Sequence, residues 1–135
     1  MMRSQIQQIL PHREPMLLLD EVEEAADGKA HGRYTIRGDE WFLQGHFPGN
    51  PVVPGVIQCE MMAQTCCILV GETGKIPLFS GIDHVRFKSP VHPGDTMEFI
   101  CSLEKVKGPF YFAKGQGSVD GKLCIAGEFS FALVG

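Results

Sequence analysis

Polar and apolar residues change their spacing several times along the chain, and each change marks an element. Residues 4–10 (SQIQQIL) read as one short helix, with Ser4 as its cap and Pro11 as its stop. The run MLLLDEVEEA reads as a strand because it leads into Asp27-Gly28, a dipeptide suited to a two-residue hairpin turn. The return segment KAHGRYTI puts Ala30, Gly32, Tyr34 and Ile36 on one face. From Pro54 or Gly55 to Gly71 or Gly74 the pattern is helical, since proline fits a first turn and glycine a C-terminal stop. There Val56, Ile57, Met61, Met62, Ala63, Ile68, Leu69 and Val70 cover nearly the whole circumference, and a helix apolar all round is buried all round.

From Ile76 onward the chain alternates as strands do. HVRFK is followed by the turn SPVHPGD, and TMEFICSLEKV sets Met97, Phe99, Cys101 and Leu103 opposite Glu98, Ser102 and Glu104. Gly108-Pro109 and Asp120-Gly121 mark two further turns, and the closing strand carries Leu123, Ile125, Phe129, Phe131 and Leu133 at period two. The sum is an α+β domain spanning residues 1–135. An antiparallel meander buries one long central helix by curling around it, with an open sheet as the alternative.

Composition narrows the function classes. A net charge of −4 argues against a nucleic-acid binder, which carries a basic excess. The longest apolar run, Val52 to Val70, contains Pro54, Gly55, Gln58, Glu60 and Gln64, a load that a membrane span does not carry. The first residues have no apolar core of a signal peptide, so the expected location is the cytoplasm. Five cysteines at 59, 66, 67, 101 and 124 form neither a disulfide framework nor a zinc pattern, and read as reduced, buried thiols. None of His12, His31, His46, His84 and His92 falls at H-x-x-x-H spacing, so no metal is expected.

The chemistry concentrates in GHFPGNPVVPG, residues 45–55, and the helix after it. Three glycines and three prolines in eleven residues restrict the backbone around His46, whose ordinary titration range suits a general base at neutral pH. Glu60 is the only charge between Pro54 and Gly71. An unpaired carboxylate in an apolar setting tends to stay protonated, which makes it a proton donor. Gln64, four residues on, extends the same polar stripe and is a candidate for lining a substrate site. Gly55 opens the helix, where unpaired N–H groups can hold an oxygen that gains negative charge. Base, acid and oxyanion donor together suit proton abstraction beside a carbonyl, with loss or gain of a leaving group.

These residues carry a family likeness. GHFPGNPVVPGVIQCEMMAQ closely resembles the signature of the FabZ-type (3R)-hydroxyacyl-[acyl-carrier-protein] dehydratases, G-H-F-P-G-x-P-x-x-P-G followed by a Glu and by A-Q. ILPHREPMLLLDEV, FSGIDHVRFKSPVHPGD and VDGKLCIAGE are similar to further family segments, so the likeness spans nearly the whole chain. The resemblance implies the hot-dog fold and a homodimer whose two sites each take His46 from one chain and Glu60 from the other. Such dimers commonly assemble as trimers of dimers. It implies that His46 takes the α-proton, that Glu60 protonates the departing β-hydroxyl, and that the Gly55 N–H holds the thioester carbonyl, with no cofactor. Its partner would be acyl carrier protein.

Glu60 favours the plain dehydratase over FabA-type dehydratase/isomerases, which carry Asp there. Leu78 stands where many relatives have the tyrosine of an aromatic gate, and reads as one more core residue. Apolar helix residues such as Met61, Met62 and Ile57 could line the acyl tunnel, but each reads more readily as ordinary core, and none counts as a site residue. Carrier proteins are acidic, so a basic rim is expected; His84, Arg86 and Lys88 share a strand face opposite Val85 and Phe87, and Arg86 and Lys88 are the docking candidates. The rival readings are a hot-dog thioesterase, a dehydratase of a polyketide-like pathway, and a non-catalytic carrier-binding subunit.

Overall fold

Six antiparallel strands in the order β1-β2-β4-β5-β6-β3 wrap one helix in a computed structural model that describes residues 1–71 and 73–135. In chain order they follow a short helix α1 (Arg3–Ile9): β1 (Glu21–Glu24), β2 (Ala30–Thr35), the central helix α2 (Gly55–Cys67), β3 (Ile76–Phe87), β4 (Thr96–Lys107), β5 (Phe110–Val119) and β6 (Lys122–Val134). A 3-10 turn at Trp41–Leu43 leads into the glycine- and proline-rich loop. After α2 the chain crosses to the far edge of the sheet, where β3 pairs with β6. This is the wrapped α+β arrangement expected from the meander and its buried helix.

Close approach of sheet to helix depends on glycines. A Cβ added at Gly32 would meet Thr65 Oγ1 at 2.5 Å, and one at Gly115 would meet Cys101 Sγ at 2.8 Å and Met62 Sδ at 3.4 Å. At Gly32, β2 therefore sits closer to α2 than a side chain would permit, and at Gly115 the space is taken by Cys101 of β4. Around that contact Met61, Met62, Met97, Phe99, Ile125 and Phe131 are almost wholly removed from water. The Asp120-Gly121 turn is the expected two-residue hairpin, with φ of 51° and 79° as its mirror-image geometry requires.

Several boundaries differ from expectation, each for a local reason. Helix α1 begins after Met2 rather than Ser4, because the Gln5 side chain reaches back to accept from the Met2 N–H at 3.0 Å. The strand expected over 16–25 shrinks to Glu21–Glu24. Leu17, Leu18 and Leu19 are buried, but side chains rather than a neighbouring strand satisfy their backbone: Gln64 accepts from Leu18 N, and Arg3 donates to Leu17 O and Leu19 O. The turn at Asp27-Gly28 is longer than two residues, with β1 ending at Glu24 and β2 starting at Ala30. Helix α2 stops at Cys67 because its last turn tightens, Leu69 N bonding Cys66 O and Val70 N bonding Cys67 O. Val56 breaks the all-round burial of α2, being 73% exposed.

Candidate active site

The loop before α2 is folded by its own backbone. His46 N donates to Leu43 O, Phe47 and Asn50 exchange both backbone bonds, and Val52 N donates to His46 O at 3.0 Å. Gly45 and Gly49 take φ of 82° and 73°, positions that a side chain would strain. Behind the loop, Glu40 is buried and accepts from Tyr34 Oη at 2.8 Å, Arg37 N at 2.9 Å and Gly38 N at 2.8 Å. Burial opposes ionisation of Glu40, but those three donors outweigh it and hold its carboxyl below the ordinary range. Burial first, then the bond to Glu40, pushes the Tyr34 hydroxyl up.

His46 is half-buried and stacked on Phe47, with ring centroids 4.0 Å apart. Its Nδ1 lies 3.1 Å from Val52 O. A carbonyl only accepts, so Nδ1 carries the ring proton of the neutral imidazole and Nε2 presents the free lone pair. The ring is thereby held with Nε2 unprotonated and free of a partner among the described residues.

Glu60 sits one and a half turns into α2, with its side chain 21% exposed. It is not the unpaired carboxylate that the sequence pattern implied. Gln64 Nε2 donates to Glu60 Oε2 at 2.9 Å, and His12 Nε2 approaches the same oxygen at 3.4 Å. Gln64 itself is fully buried: its Oε1 accepts from Leu18 N and its Nε2 also donates to Met16 O at 2.8 Å. Its amide is thus committed to Glu60 and to the N-terminal segment rather than held out for a ligand.

Glu60, Gln64 and His12 line a cavity of about 200 Å³ walled by Ala63, Cys67, Pro77, Leu78, Phe79 and Phe131. Leu78 is therefore not a core residue; it is 52% exposed at the cavity wall. Met61 and Met62 turn into the core and do not line this cavity, and Ile57 is buried away from it. Small and apolar residues of α2, β3 and β6 form the wall instead.

Neither Gly55 nor Val56 offers its N–H to an acceptor among the described residues. Both line an open groove with Val52, Val53, Gln58, Phe87 and Lys88, and the Phe87 ring lies directly against Gly55. Gly55 and Val56 stand at the positive end of α2, where the groove lies. The Glu60 cavity is lined by no residue of the 45–55 loop, and the Gly55 groove by neither His46 nor Glu60.

On the sheet, His84, Arg86 and Lys88 do share one surface, a shallow groove of about 660 Å³ with Lys29 and Lys114. His84 sits at an irregularity of β3 with φ of 51°, which interrupts strict alternation. Lys88 lines both this groove and the one beside Gly55. Sequence reading missed His12 as a neighbour of Glu60, because forty-eight positions separate its loop from Gln64 and no spacing rule connects them. No group of three His, Cys, Asp or Glu among the described residues is placed to hold a metal ion. All five cysteines are free and buried, and burial pushes the Cys66 thiol up to about 12, far from a reactive thiolate.

Residues 10–128 match the model of the FabA-like domain. The 3-hydroxyacyl-[acyl-carrier-protein] dehydratase FabZ of Clostridium beijerinckii is 43% identical over 137 residues, covering 96% of this chain and 96% of that protein. Among solved structures, the dehydratase heterocomplex ApeI:P from Xenorhabdus doucetiae superposes with a TM-score of 0.83 at 24% identity, over 96% of this chain and 91% of that one. The fluoroacetyl-CoA thioesterase FlK superposes at 0.66 with 15% identity, over 78% and 84%. The two structural likenesses establish the hot-dog fold and, at those identities, nothing about activity.

Proposed function

The chain belongs to the FabA-like family, and on that premise we propose that it is a hydro-lyase removing water from a 3-hydroxyacyl thioester carried by acyl carrier protein. The product is the trans-2-enoyl thioester, formed as a step of fatty-acid synthesis. The observation that carries this reading is the set of His46: Nδ1 is spent on Val52 O, so Nε2 is a lone-pair base on a rigid loop just upstream of free helix amides.

The Gly55 N–H holds the thioester carbonyl and spreads the charge that forms when the α C–H bond breaks. His46 Nε2 takes that proton. The C–O bond at the β-carbon breaks as Glu60 gives its proton to the hydroxyl, which leaves as water. The acyl chain then runs beside Glu60 along the wall of Ala63, Leu78, Phe79 and Phe131.

The separation of His46 from the Glu60 cavity supports a homodimer in which one copy supplies the base and the other the acid. β3 supports it as well: it is an edge strand, and Leu78, Phe79, Ile82 and Phe87 along it are 40–54% exposed, an apolar edge suited to a second copy. Light scattering distinguishes a dimer from the trimer of dimers. The acidic carrier protein would dock on the groove of Arg86, Lys88, Lys114 and Lys29, since Lys88 links that cationic surface to the Gly55 groove where the thioester must arrive. A reducing, cytoplasmic setting fits the five free cysteines, and among the described residues no helix is long and apolar enough to cross a membrane.

Hydration of a crotonyl thioester, followed by loss of enoyl absorbance, tests the reaction. His46→Ala and Glu60→Gln should each fold and lose on the order of 10²-fold or more in turnover. Full activity in either, or release of free thiol as the main product, would contradict the assignment.

A further inference from the structure

We propose that His12 is a positioning residue for Glu60: together with Gln64 it occupies one carboxyl oxygen, Oε2, so that the proton given to the substrate sits on the other, Oε1. The inference rests on the dehydratase reading. PHREP, residues 11–15, is a patterned segment with no task in the reaction steps.

Three observations converge. Both contacts to the carboxyl fall on Oε2, from Gln64 Nε2 at 2.9 Å and His12 Nε2 at 3.4 Å, and no described residue donates to Oε1. An amide N–H only donates, so Oε2 acts as an acceptor, and the hydrogen of the un-ionised acid belongs on Oε1. Second, His12 Nδ1 is buried without a partner among the described residues. A proton there would be a donor with nothing to meet, which places the ring hydrogen on Nε2, the nitrogen 3.4 Å from Oε2. With no outlet at Nδ1, His12 holds the carboxyl and does not relay protons to it.

Third, the loop that carries His12 is fastened to the same glutamine. Gln64 donates to Met16 O and accepts from Leu18 N, while Arg13 donates to Leu10 O at 2.9 Å and to His12 O at 2.8 Å. Movement of Glu60, Gln64 or His12 therefore displaces the other two. The remaining wall of the cavity, from Ala63 of α2, Pro77, Leu78 and Phe79 of β3, and Phe131 of β6, is uncharged. Its one other titratable group, Cys67, is pushed up by burial and stays a neutral thiol.

His12→Phe keeps a ring without a donor, and His12→Gln returns an amide N–H near the place of Nε2. In the crotonyl thioester assay, His12→Phe should lower kcat on the order of 10-fold, the effect of losing one polar contact to a group that gains charge as it gives up its proton. KM should stay within about twofold of wild type. One limb of the pH–rate profile should move to higher pH while the other stays, since a lost donor disfavours the carboxylate. His12→Gln should restore most of kcat and return the limb. Wild-type turnover in His12→Phe, an unmoved profile, or His12→Gln no better than His12→Phe would overturn the proposal. Should His12→Phe fail to fold, His12→Asn, too short to reach Glu60, takes its place with the same expectations. A wild-type chain inactive on the thioester would instead sink the dehydratase reading itself.

Discussion

Replacing Gly55 with alanine adds one methyl group at the point where the helix start meets the Phe87 ring. That carbon would lie 2.7 Å from Phe87 Cε1 and Cζ, so either the ring or the helix start must withdraw by about 0.7 Å to reach ordinary contact. Phe87 is held in β3 through its pairing with Ile125, and its neighbour Lys88 is bonded to Cys124 O at 2.7 Å, so part of the shift falls on α2. Overpacking of this kind costs about 1–3 kcal/mol, offset in part by the roughly 1 kcal/mol that alanine gains over glycine in a helix. Urea unfolding should therefore show at most a modest loss of stability. Catalysis should suffer more, because a displacement near 1 Å of a group that holds the reacting carbonyl costs up to about 10²-fold. The assay is kcat for crotonyl thioester hydration, with Gly55→Ala/Phe87→Ala as the relieved double variant. The double variant should recover at least about tenfold of the loss. A single variant within about twofold of wild type would refute the placement of the thioester carbonyl at Gly55, and a double variant without recovery would refute the steric cause.

Two further outcomes follow from the same structure. Glu40 has its carboxyl held below the usual value of 4.5 in the folded chain, so its contribution is present above that value and is lost as pH falls through the lower, folded one; Glu40→Gln should lower urea stability by about 1–3 kcal/mol at pH 7 and flatten its acid dependence, and an unchanged acid limb would contradict this. Leu78→Trp should fill part of the cavity beside Glu60, lowering kcat/KM increasingly with acyl length while sparing crotonyl substrate; a loss equal at all lengths would place the acyl chain elsewhere.

The helix and the sheet were legible because their signals are local and repeated: the apolar circumference of α2, the period of two in β4 and β6, and Asp120-Gly121. Asp27-Gly28 misled because a turn dipeptide sets local geometry but not where pairing begins, and here five residues intervene between β1 and β2. The run at Leu17–Leu19 has a strand's composition without a strand's partner, since Gln64 and Arg3 take its backbone groups. At the site, His46, Gly55 and Glu60 stood out by chemistry within fifteen residues of sequence. His12 and the exposure of Leu78 did not, because contacts between the N-terminal loop, α2 and β3 arise only when distant segments pack. Gln64 was legible on the face of Glu60 by its spacing, but not that its amide bonds the carboxyl or that His12 from a distant loop comes within 3.4 Å of it.

The most direct test of a site shared between copies is subunit mixing. His46→Ala and Glu60→Gln chains should each be inactive alone, and in a dimer with shared sites each hybrid would pair one intact base with one intact acid. After random exchange, half the dimers are hybrids with one working site of two, so an equal mixture should regain about a quarter of wild-type turnover. A mixture as inactive as its two components would mean that base and acid act within a single chain, against the placement of His46 outside the Glu60 cavity.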